Sequence, residues 1–404
     1  MTRLGPDTTA DDVRVLAEPP ANLEADVRAI LDAVREGGDA AVREYTLRFD
    51  GAAPGELRVP AEQLEAAPGA LAPDVLDALG VAIANVSAVA DAQLHDTVGV
   101  ELPQGQRVEI VEVPVRRAAA YVPGGRAAYP STVVMCAVSA RAAGVEELAV
   151  CAPPGPDGVV HPAVLAACSL CGVTEVYAMG GAQAIAALAY GTESVPAVDV
   201  VVGPGNSYVQ EAKRQLAGAV GIDSVAGPSE LVVVASEGAD PALAAADLMA
   251  QGEHGADSLV AALSPDTGLL DQIEAQLDGA GAALVETRDV PAAIALAEEL
   301  APEHLQLMGS EAEALADTVR FAGCLFVGRD AGTAFGDYVA GSNHVLPTGG
   351  AARFASALGP STFRRRMSRV SLPPGAATRL APAGAALARA EGFVKHAESM
   401  ERRA

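Results

Sequence analysis

The chain has 404 residues, which at roughly 150 residues per domain is enough for two or three domains and excludes a single small module. Its 27 basic and 52 acidic side chains give a net charge of −25, which repels both a nucleic-acid backbone and an anionic membrane surface. No apolar run approaches the roughly 18 residues of a membrane helix, and no basic N-terminal segment precedes an apolar one. We therefore expect a cytoplasmic protein that binds neither nucleic acid nor membranes.

The five cysteines are too few for a disulfide framework in a chain of this length, which agrees with a reducing compartment. Cys168 and Cys171 form a C-x-x-C motif, but the motif lies in an apolar run and no second cysteine pair completes a zinc site. A redox or metal role is the alternative, and we predict that both side chains pack in a buried helix.

The predicted elements start with a helical region over residues 21–51, followed by one helix from about residue 61 to residue 94. From about residue 145 to residue 327, short β-rich runs alternate with helical stretches. Neighbouring parallel strands need a crossover connection, and the crossover is usually a helix. The alternation therefore predicts a mainly parallel sheet covered by helices, which is the α/β fold class.

The C-terminal part of the chain is less regular. A glycine-rich segment spans residues 323–359, and the basic patch FRRRMSR (363–369) is predicted to be a loop that is solvent-exposed or paired with carboxylates. A stretch rich in proline and glycine then precedes a last short helix. This break predicts that roughly the final 25 residues form an appendage to the main core.

Four glycine turns close strand-like runs: YVPGGR (121–126), AMGGAQ (178–183), VVGPGN (201–206) and VAGPSE (225–230). At the carboxyl ends of parallel strands, such turns let backbone N–H groups approach a phosphate. Each turn alone is typical of an ordinary strand-to-helix connection, and none matches the dinucleotide motif G-x-G-x-x-G. Together they predict a nucleotide-sized cleft.

Two segments combine histidine with a carboxylate or an amide. Gln251 and His254 are three residues apart, so if the preceding helix reaches them they share one face and could bind a metal ion. A polar helix end is the simpler alternative for this pair. Asp337 and His344 lie in a segment too rich in glycine for a regular element, which is typical of a loop that positions side chains.

Glu303 and His304 are adjacent in the segment LAPEHLQLM. A carboxylate can withdraw a proton, and an imidazole with a pKa near neutrality is suited to general-base work. An adjacent Glu–His pair is weak evidence on its own, so a structural role stays open at this point.

These segments together resemble the histidinol dehydrogenase family, and the resemblance runs in one order along most of the chain. It is carried by YVPGGRAAYPSTVVM (121–135), GGAQAIAALAYGT (180–192), VGPGNSYVQEAKR (202–214), GIDSVAGPSE (221–230), QGEHGADS (251–258), APEHLQL (301–307), GDYVAGSNHVLPTGG (336–350) and EGFVKH (391–396). A weaker similarity covers VRAILDAVREGGDAAVREYTLRFDG near the start. Residues 356–390 match the family pattern poorly.

The resemblance implies two incomplete Rossmann-like parallel-sheet domains, with a helical N-terminal region and a small C-terminal appendage. The implied main α/β domain is discontinuous: after an N-terminal arm of residues 1–20, it comprises residues 21–120 and 229–359 and holds the metal and catalytic residues. Residues 121–228 would form the second Rossmann-like domain, which contacts NAD. Residues 360–404 would form a small domain that reaches the partner subunit of a homodimer.

The resemblance also implies the activity, which is oxidation of L-histidinol through L-histidinaldehyde to L-histidine with two NAD+ reduced, the last steps of histidine biosynthesis. It implies one zinc ion per active site, held by Gln251, His254, Asp337 and His396, the last donated by the partner subunit. Imidazole, carboxylate and amide ligands form a weaker cage than thiolates and leave room for substrate atoms. By the same resemblance, the zinc would bind the imidazole and amino nitrogens of histidinol.

The resemblance further assigns roles to single residues. His304 would take the hydroxyl proton as hydride leaves for NAD+, and Glu303 would activate the water that hydrates the bound aldehyde. The implied substrate-binding residues are Ser229, Gln251, His254, His304, Asp337, His344, Glu391 and His396. The implied NAD contacts are Tyr121, Gln183 and Asn206, which agrees with the cleft predicted at the glycine turns.

Two other functions stay open. One is that of a sister zinc- and NAD-dependent dehydrogenase of another primary alcohol, and the other is that of a homologue that binds metal and nucleotide without catalysis. Glu303 and His304 argue against a silent site, which gains nothing from them. The acidic Glu391 argues against an alcohol that carries a sulfonate or a carboxylate, because such a substrate calls for a cation.

Overall fold

The structure is a computed structural model, and it describes residues 1–17, 22–52, 55–124, 127–255, 257–278 and 281–404. Gly125 and Arg126 of the first glycine turn, Ala256 beside the Gln251–His254 pair, and the predicted domain boundary at residue 20 lie outside the described residues. The described strands form two parallel sheets and one small antiparallel sheet.

The chain begins with β1 (Thr2–Leu4), α1 (Ala10–Arg14), α2 (Glu24–Asp50), α3 (Ala61–Ala66), α4 (Pro73–Ala92), β2 (Val98–Glu101) and β3 (Arg107–Pro114). The single helix predicted over residues 61–94 is wrong, because prolines interrupt it. Pro68 lies in a 3₁₀ turn after α3, and Pro73 begins α4. Proline has no N–H to donate to the preceding turn, so it favours helix starts over helix interiors.

A parallel sheet follows, with helices between its strands: β4 (Arg117–Tyr121), α5 (Pro130–Ala143), β5 (Glu147–Ala152), α6 (Pro162–Leu170), β6 (Glu175–Ala178), α7 (Gly181–Tyr190), β7 (Val200–Val202), α8 (Ser207–Leu216) and β8 (Gly221–Ile222). We name it the first sheet, and its strand order is β6-β5-β4-β7-β8. Cys168 is fully buried in α6, as predicted, whereas Cys171 follows the helix and is partly buried. Burial raises the pKa of both thiols.

A second parallel sheet is built in the same way: β9 (Glu230–Ala235), α9 (Pro241–Gly252), β10 (Leu259–Ser264), α10 (Thr267–Glu274), β11 (Ala283–Glu286), α11 (Val290–Leu300), β12 (His304–Met308), α12 (Ser310–Ala314) and β13 (Cys324–Val327). Its strand order is β1-β11-β10-β9-β12-β13, so the N-terminal strand forms one edge. Every residue of β9, β10 and β12 is buried, because helices cover both faces. The predicted α/β fold class with two parallel sheets is confirmed.

The C-terminal elements are α13 (Thr333–Tyr338), β14 (Arg364–Ser371), α14 (Ala376–Ala390) and α15 (Val394–Glu401). The loop predicted for FRRRMSR is wrong, because its arginines lie in β14, which pairs antiparallel with β3. Nearly all of β14 is exposed, so no alternation of apolar and polar residues marks this strand in the sequence. Carboxylate pairing is correct at Arg366, whose Nε lies 2.9 Å from Glu112 Oε1.

Two N-terminal helices pack on the first sheet. Helix α2 contacts α7 and α8, and its buried Val27, Leu31 and Val42 join the apolar core on that side. Helix α4 packs on α5. The domain division predicted above groups residues 21–120 with the strands after residue 229. These contacts instead attach α2 to the first sheet. An amphipathic helix can cover either sheet, and its sequence does not specify which. The division into domains stays a prediction.

Among the described helices, α4 is the one whose length and apolar composition would allow it to cross a membrane. Its Leu79, Ala82, Val86 and Ala90 are buried, whereas Val81 on the same helix is half exposed. A single helix of this kind is weak evidence for a membrane span, because core helices of soluble proteins have the same length and composition.

Candidate active site

A cavity of about 290 Å³ lies at the carboxyl end of the first sheet. Tyr121 ends β4, Gln183 lies in the first turn of α7, and Asn206 is the N-cap of α8. All three predicted NAD contacts line the cavity, together with Phe49, Asp50, Gly124, Pro153, Gly181, Ala182 and Tyr208. The structure therefore brings this predicted set together in one place.

Close backbone approach shapes this cavity. Gly203 has φ +107°, and a Cβ at this position would collide with the carbonyl oxygen of Tyr121. The N–H of Gly181 donates to the Tyr121 hydroxyl at 3.1 Å, and burial raises the pKa of that hydroxyl, so it stays protonated. Both polar atoms of the Gln183 amide are buried without a partner among the described residues. A buried, unsatisfied amide beside a cavity indicates a polar ligand.

Glu303 and His304 lie at the start of β12, beside the start of β9. The Glu303 carboxylate accepts the N–H of Glu230 at 2.9 Å, and the N–H of Glu303 donates to the Glu230 carboxylate at 3.2 Å. His304 Nδ1 lies 3.1 Å from the carbonyl oxygen of Glu230, which can only accept, so Nδ1 carries a proton. Ala301, with φ +43°, is the one non-glycine residue in the described ranges with a positive φ. Strain of this kind is typical of functional sites.

Two carboxylates flank the imidazole of His304. Its Nδ1 lies 3.6 Å from Glu303 Oε2, and its Nε2 lies 3.5 Å from Asp337 Oδ1. Burial lowers the pKa of His304, but the Glu303 and Asp337 carboxylates outweigh this effect and raise the pKa to about 9. Burial raises the pKa of Glu303 to about 7, against the opposing charge of His304. A carboxyl group with a pKa near neutrality can exchange a proton under physiological conditions.

Gln251 and His254 lie at the C-terminal end of α9. The helix ends at Gly252, so His254 lies in the turn that follows it, and its N–H donates to the Gln251 carbonyl at 3.3 Å. The predicted shared helix face is therefore wrong, although the turn keeps the two residues close. The Gln251 side chain is buried, and its amide nitrogen has no partner in the part of the chain that the structure describes.

The Asp337 carboxylate lies within electrostatic reach of His254, His304 and His344. Burial raises its pKa, but the hydrogen bond and charge of His304, followed by the charges of His344 and His254, lower it overall. His344 Nδ1 lies 2.6 Å from the Asp337 carbonyl oxygen, and its Nε2 lies 3.2 Å from Thr132 Oγ1. Asp337 is itself in the short helix α13, not in the loop predicted for this segment. The structure thus brings three imidazoles within electrostatic reach of one carboxylate.

Glu391 and His396 lie apart from this cluster. Glu391 is the C-cap of α14, His396 is in α15, and both are exposed. The ring of His396 lies 5.3 Å from that of Phe393. Across the described ranges, no group of three or more His, Cys, Asp or Glu side chains is placed to hold a metal ion within one chain. The predicted zinc ligands are therefore divided between the cluster around Asp337 and the C-terminal helices.

Sequence analysis did not single out Glu230, Thr132 or Asp50. Glu230 is buried, and its carboxylate forms an ion pair with Arg14 at 3.0 Å. The signal was available for Glu230, because an acidic residue begins the otherwise apolar strand ELVVVA. Asp50 is acidic at the last position of a helix, where the helix dipole disfavours negative charge. Nothing local marks Thr132, which the fold alone brings to His344.

Comparison with known proteins agrees with the motifs. Residues 17–404 match the family model for histidinol dehydrogenase. A histidinol dehydrogenase from Parasynechococcus marenigrum (strain WH8102) is 46% identical over 399 residues, covering 95% of this chain and 91% of the relative. One from Gluconobacter oxydans (strain 621H) is 42% identical over 407 residues, covering 96% of this chain and 93% of the relative.

A solved structure gives the same result. The crystal structure of histidinol dehydrogenase from Elizabethkingia anophelis matches with a TM-score of 0.94 at 30% identity, and covers 100% of this chain and 98% of that one. The resemblance predicted from the motifs is confirmed along nearly the whole chain. The chain belongs to the histidinol dehydrogenase family, and with it to the NAD-dependent dehydrogenases.

Proposed function

We propose that this chain oxidises L-histidinol through L-histidinaldehyde to L-histidine and reduces two NAD+ per substrate, as the last steps of histidine biosynthesis. The observation that carries the proposal is the buried pair Glu303 and His304, with His304 Nε2 at 3.5 Å from Asp337. Oxidation of an alcohol to a carboxylate needs two hydride transfers and a hydration between them. Two adjacent proton-transfer groups of different basicity suit that sequence.

The donor set fits one zinc ion. Gln251, His254 and Asp337 offer an amide oxygen, an imidazole and a carboxylate, which are donors that zinc accepts, and His254 lies within electrostatic reach of Asp337. The exposed imidazole of His396 of the partner subunit would be the fourth ligand. When bound, the metal supplies a positive charge that orients the imidazole and amino nitrogens of histidinol.

His304 serves as the base for the first oxidation. Its Nδ1 is held by the Glu230 carbonyl at 3.1 Å, and its Nε2 lies 3.5 Å from Asp337 Oδ1. If Asp337 holds the metal, its carboxylate no longer pairs with Nε2, which is then the nitrogen available to the substrate hydroxyl. His304 takes the hydroxyl proton as the hydride of the carbinol carbon passes to NAD+, which gives the aldehyde. The Glu303 carboxylate and the nearby Asp337 carboxylate stabilise the imidazolium.

Glu303 acts between the two oxidations. Its carboxylate takes a proton from water as the water oxygen adds to the aldehyde carbon. The resulting hydrate anion then passes its hydride to the second NAD+ and a proton to solvent, which gives the carboxylate. Because burial raises the pKa of Glu303 to about 7, its carboxylate is a better base than that of an exposed glutamate. Retention of the bound aldehyde between the steps would prevent its loss to solvent.

We assign the remaining predicted substrate contacts to the same site. Ser229 immediately precedes β9 and is half-buried. The imidazole of His344 is fixed from both sides by Thr132 and by the Asp337 carbonyl. Glu391 of the partner subunit would accept an N–H of the substrate imidazole, because a carboxylate favours that partner. We therefore propose a homodimer with shared active sites.

NAD+ would bind in the cavity lined by Tyr121, Gln183 and Asn206. The Gln183 amide, which has no partner among the described residues, and the hydroxyl of Tyr121 provide polar contacts. We expect the enzyme to be cytoplasmic, because its five cysteines suit a reducing compartment, and to bind neither nucleic acid nor membranes, because its net charge is −25.

Product stoichiometry tests this proposal. Purified protein supplied with zinc, NAD+ and L-histidinol should yield about two NADH per histidine formed, and a chelator should abolish turnover. One NADH per substrate, or turnover of other primary alcohols only, would favour the sister dehydrogenase. Binding of zinc and NAD+ without any turnover would favour the silent homologue.

A further inference from the structure

Among the described residues that line the cavity of the first sheet, one carries a carboxylate, and one of its oxygen atoms makes no hydrogen bond with the described residues. Asp50 is the last residue of α2 and lines the cavity together with Tyr121 and Gln183. Its Oδ2 atom is buried and has no hydrogen-bond partner among the described residues. A buried carboxylate oxygen without a donor costs stability, and the negative end of the helix dipole adds to that cost. A ligand with hydroxyl groups would supply the missing donors.

The surroundings of Asp50 indicate which part of a dinucleotide would bind here. Phe49 and Tyr208 also line the cavity, with ring centroids 6.3 Å apart and ring planes at 45°. Aromatic rings at such sites are suited to stack on a base. The cavity volume of about 290 Å³ is at the low end for a small-molecule site, so it fits part of a dinucleotide.

The nicotinamide must lie elsewhere if the proposed function holds. Hydride transfer requires it beside the carbinol carbon at His304, and none of Glu303, His304 and Asp337 lines this cavity. The adenosine end is therefore the part that reaches Phe49 and Asp50. This step rests on the proposed function, because it uses NAD+ as the hydride acceptor.

We propose that Asp50 binds the adenosine ribose hydroxyls of NAD+ and excludes the 2′-phosphate of NADP+. A carboxylate accepts hydrogen bonds from a ribose diol, whereas it repels a phosphate on the same ribose oxygen. The described lining residues include no lysine or arginine that could offset this repulsion. The nearest described cation along the chain is Arg48, whose guanidinium carbon lies 5.3 Å from the Phe49 ring centroid. Asp50 thus sets the preference between the two cofactors.

The test compares Asp50→Asn with Asp26→Asn in the full-length, zinc-loaded enzyme. Asp26 lies on the same helix and is exposed near its other end, so its substitution removes the same charge away from the cavity. Calorimetric binding of NAD+ and NADP+ and the KM of each cofactor are measured. We expect Asp50→Asn to weaken the binding of NAD+ about tenfold. The ratio of NAD+ affinity to NADP+ affinity should fall by at least the same factor. Asp26→Asn should leave the NAD+ affinity and the ratio of NAD+ to NADP+ affinity unchanged.

An NAD+ analogue without the adenosine 2′-hydroxyl locates the contact without any variant. The natural enzyme should bind this analogue about tenfold more weakly than NAD+, and Asp50→Asn should lose much less by the same change. The midpoint temperature of thermal unfolding of Asp50→Asn should not be lower than that of the natural chain, because the buried Oδ2 of Asp50 has no hydrogen-bond partner among the described residues.

Two results overturn the inference. One is an unchanged cofactor preference in a folded Asp50→Asn enzyme, and the other is equal binding of NAD+ and its 2′-deoxy analogue by the natural enzyme. Absence of histidinol oxidation by the natural enzyme with NAD+ would instead contradict the proposed function. The two failures are therefore distinguishable.

Discussion

Glu230 and Glu303 exchange hydrogen bonds across neighbouring strands, each accepting the backbone N–H of the other at 2.9 Å and 3.2 Å. The second carboxylate oxygen of Glu230 contacts Arg14 at 3.0 Å and the N–H of Gly349 at 3.1 Å. Glu230 also holds His304 through its backbone carbonyl. One buried residue thus links the N-terminal helix α1, the loop after α13 and both proposed proton-transfer groups.

We predict that Glu230→Gln lowers kcat by about 100-fold, because misplacement of Glu303 and His304 by a fraction of an ångström affects both oxidations. The KM for NAD+ should not change, since Glu230 does not line the cofactor cavity. The free energy of unfolding should fall by about 2 kcal/mol, because Arg14 loses its charged partner. Steady-state kinetics and chemical denaturation measure these effects.

Glu311→Gln is the matched control for that variant, since Glu311 is exposed at the start of α12 and its loss removes the same charge. A Glu230→Gln enzyme that is destabilised but retains kcat would show that the residue supports the fold and does not position the catalytic pair.

Glu303→Gln should affect the second oxidation more than the first. We expect roughly a 1,000-fold loss when histidinaldehyde is supplied and a smaller loss in single-turnover oxidation of histidinol, because only hydration of the aldehyde needs this base. In the natural enzyme the aldehyde step should become faster as pH rises through about 7, where the Glu303 carboxyl loses its proton. Equal rate losses in the oxidation of histidinol and in the oxidation of histidinaldehyde would contradict the proposal that Glu303 acts only in the second step.

Subunit mixing tests the shared zinc site. His254→Ala and His396→Ala should each lose zinc and activity as homodimers, because each lacks one proposed ligand. If His396 acts across the dimer, a mixed dimer contains one site with all four ligands and one that lacks two. We expect about half the natural zinc content in verified mixed dimers. Mixed dimers without recovered zinc would show that the ligands do not cross between subunits.

Gly203→Ala tests the backbone of the cofactor cavity. An added Cβ there would meet the carbonyl oxygen of Tyr121 and would also be strained by φ +107°. We predict a loss of about 3 kcal/mol in the free energy of unfolding together with a higher KM for NAD+. Gly218→Ala is the control, because it has φ +97° but open space around the added Cβ, so it shows the conformational strain alone. Equal losses would mean that the contact with Tyr121 contributes nothing.

The alternation of apolar runs and helical stretches was sufficient to predict the α/β class, since parallel strands cannot be joined without a crossover. Three of the four predicted glycine turns (121–126, 178–183 and 201–206) line one cavity, because carboxyl ends of neighbouring strands meet at the same edge of a sheet, whereas no described residue of the turn 225–230 lines it. The loop predicted for residues 363–369 was wrong, because a strand exposed on both faces leaves no apolar pattern in the sequence.

The sequence by itself therefore determined the family and the fold class, because these follow from residue types in a fixed order, and it supplied the proton-transfer pair that we propose. Only the tertiary structure decided that Glu230, Arg14 and Glu303 form one network, since these residues are up to 289 positions apart and meet only after the second sheet has formed. It likewise brought α2 and its Asp50 to the first sheet, because packing against α7 and α8, and not any local signal, places the end of that helix beside Tyr121.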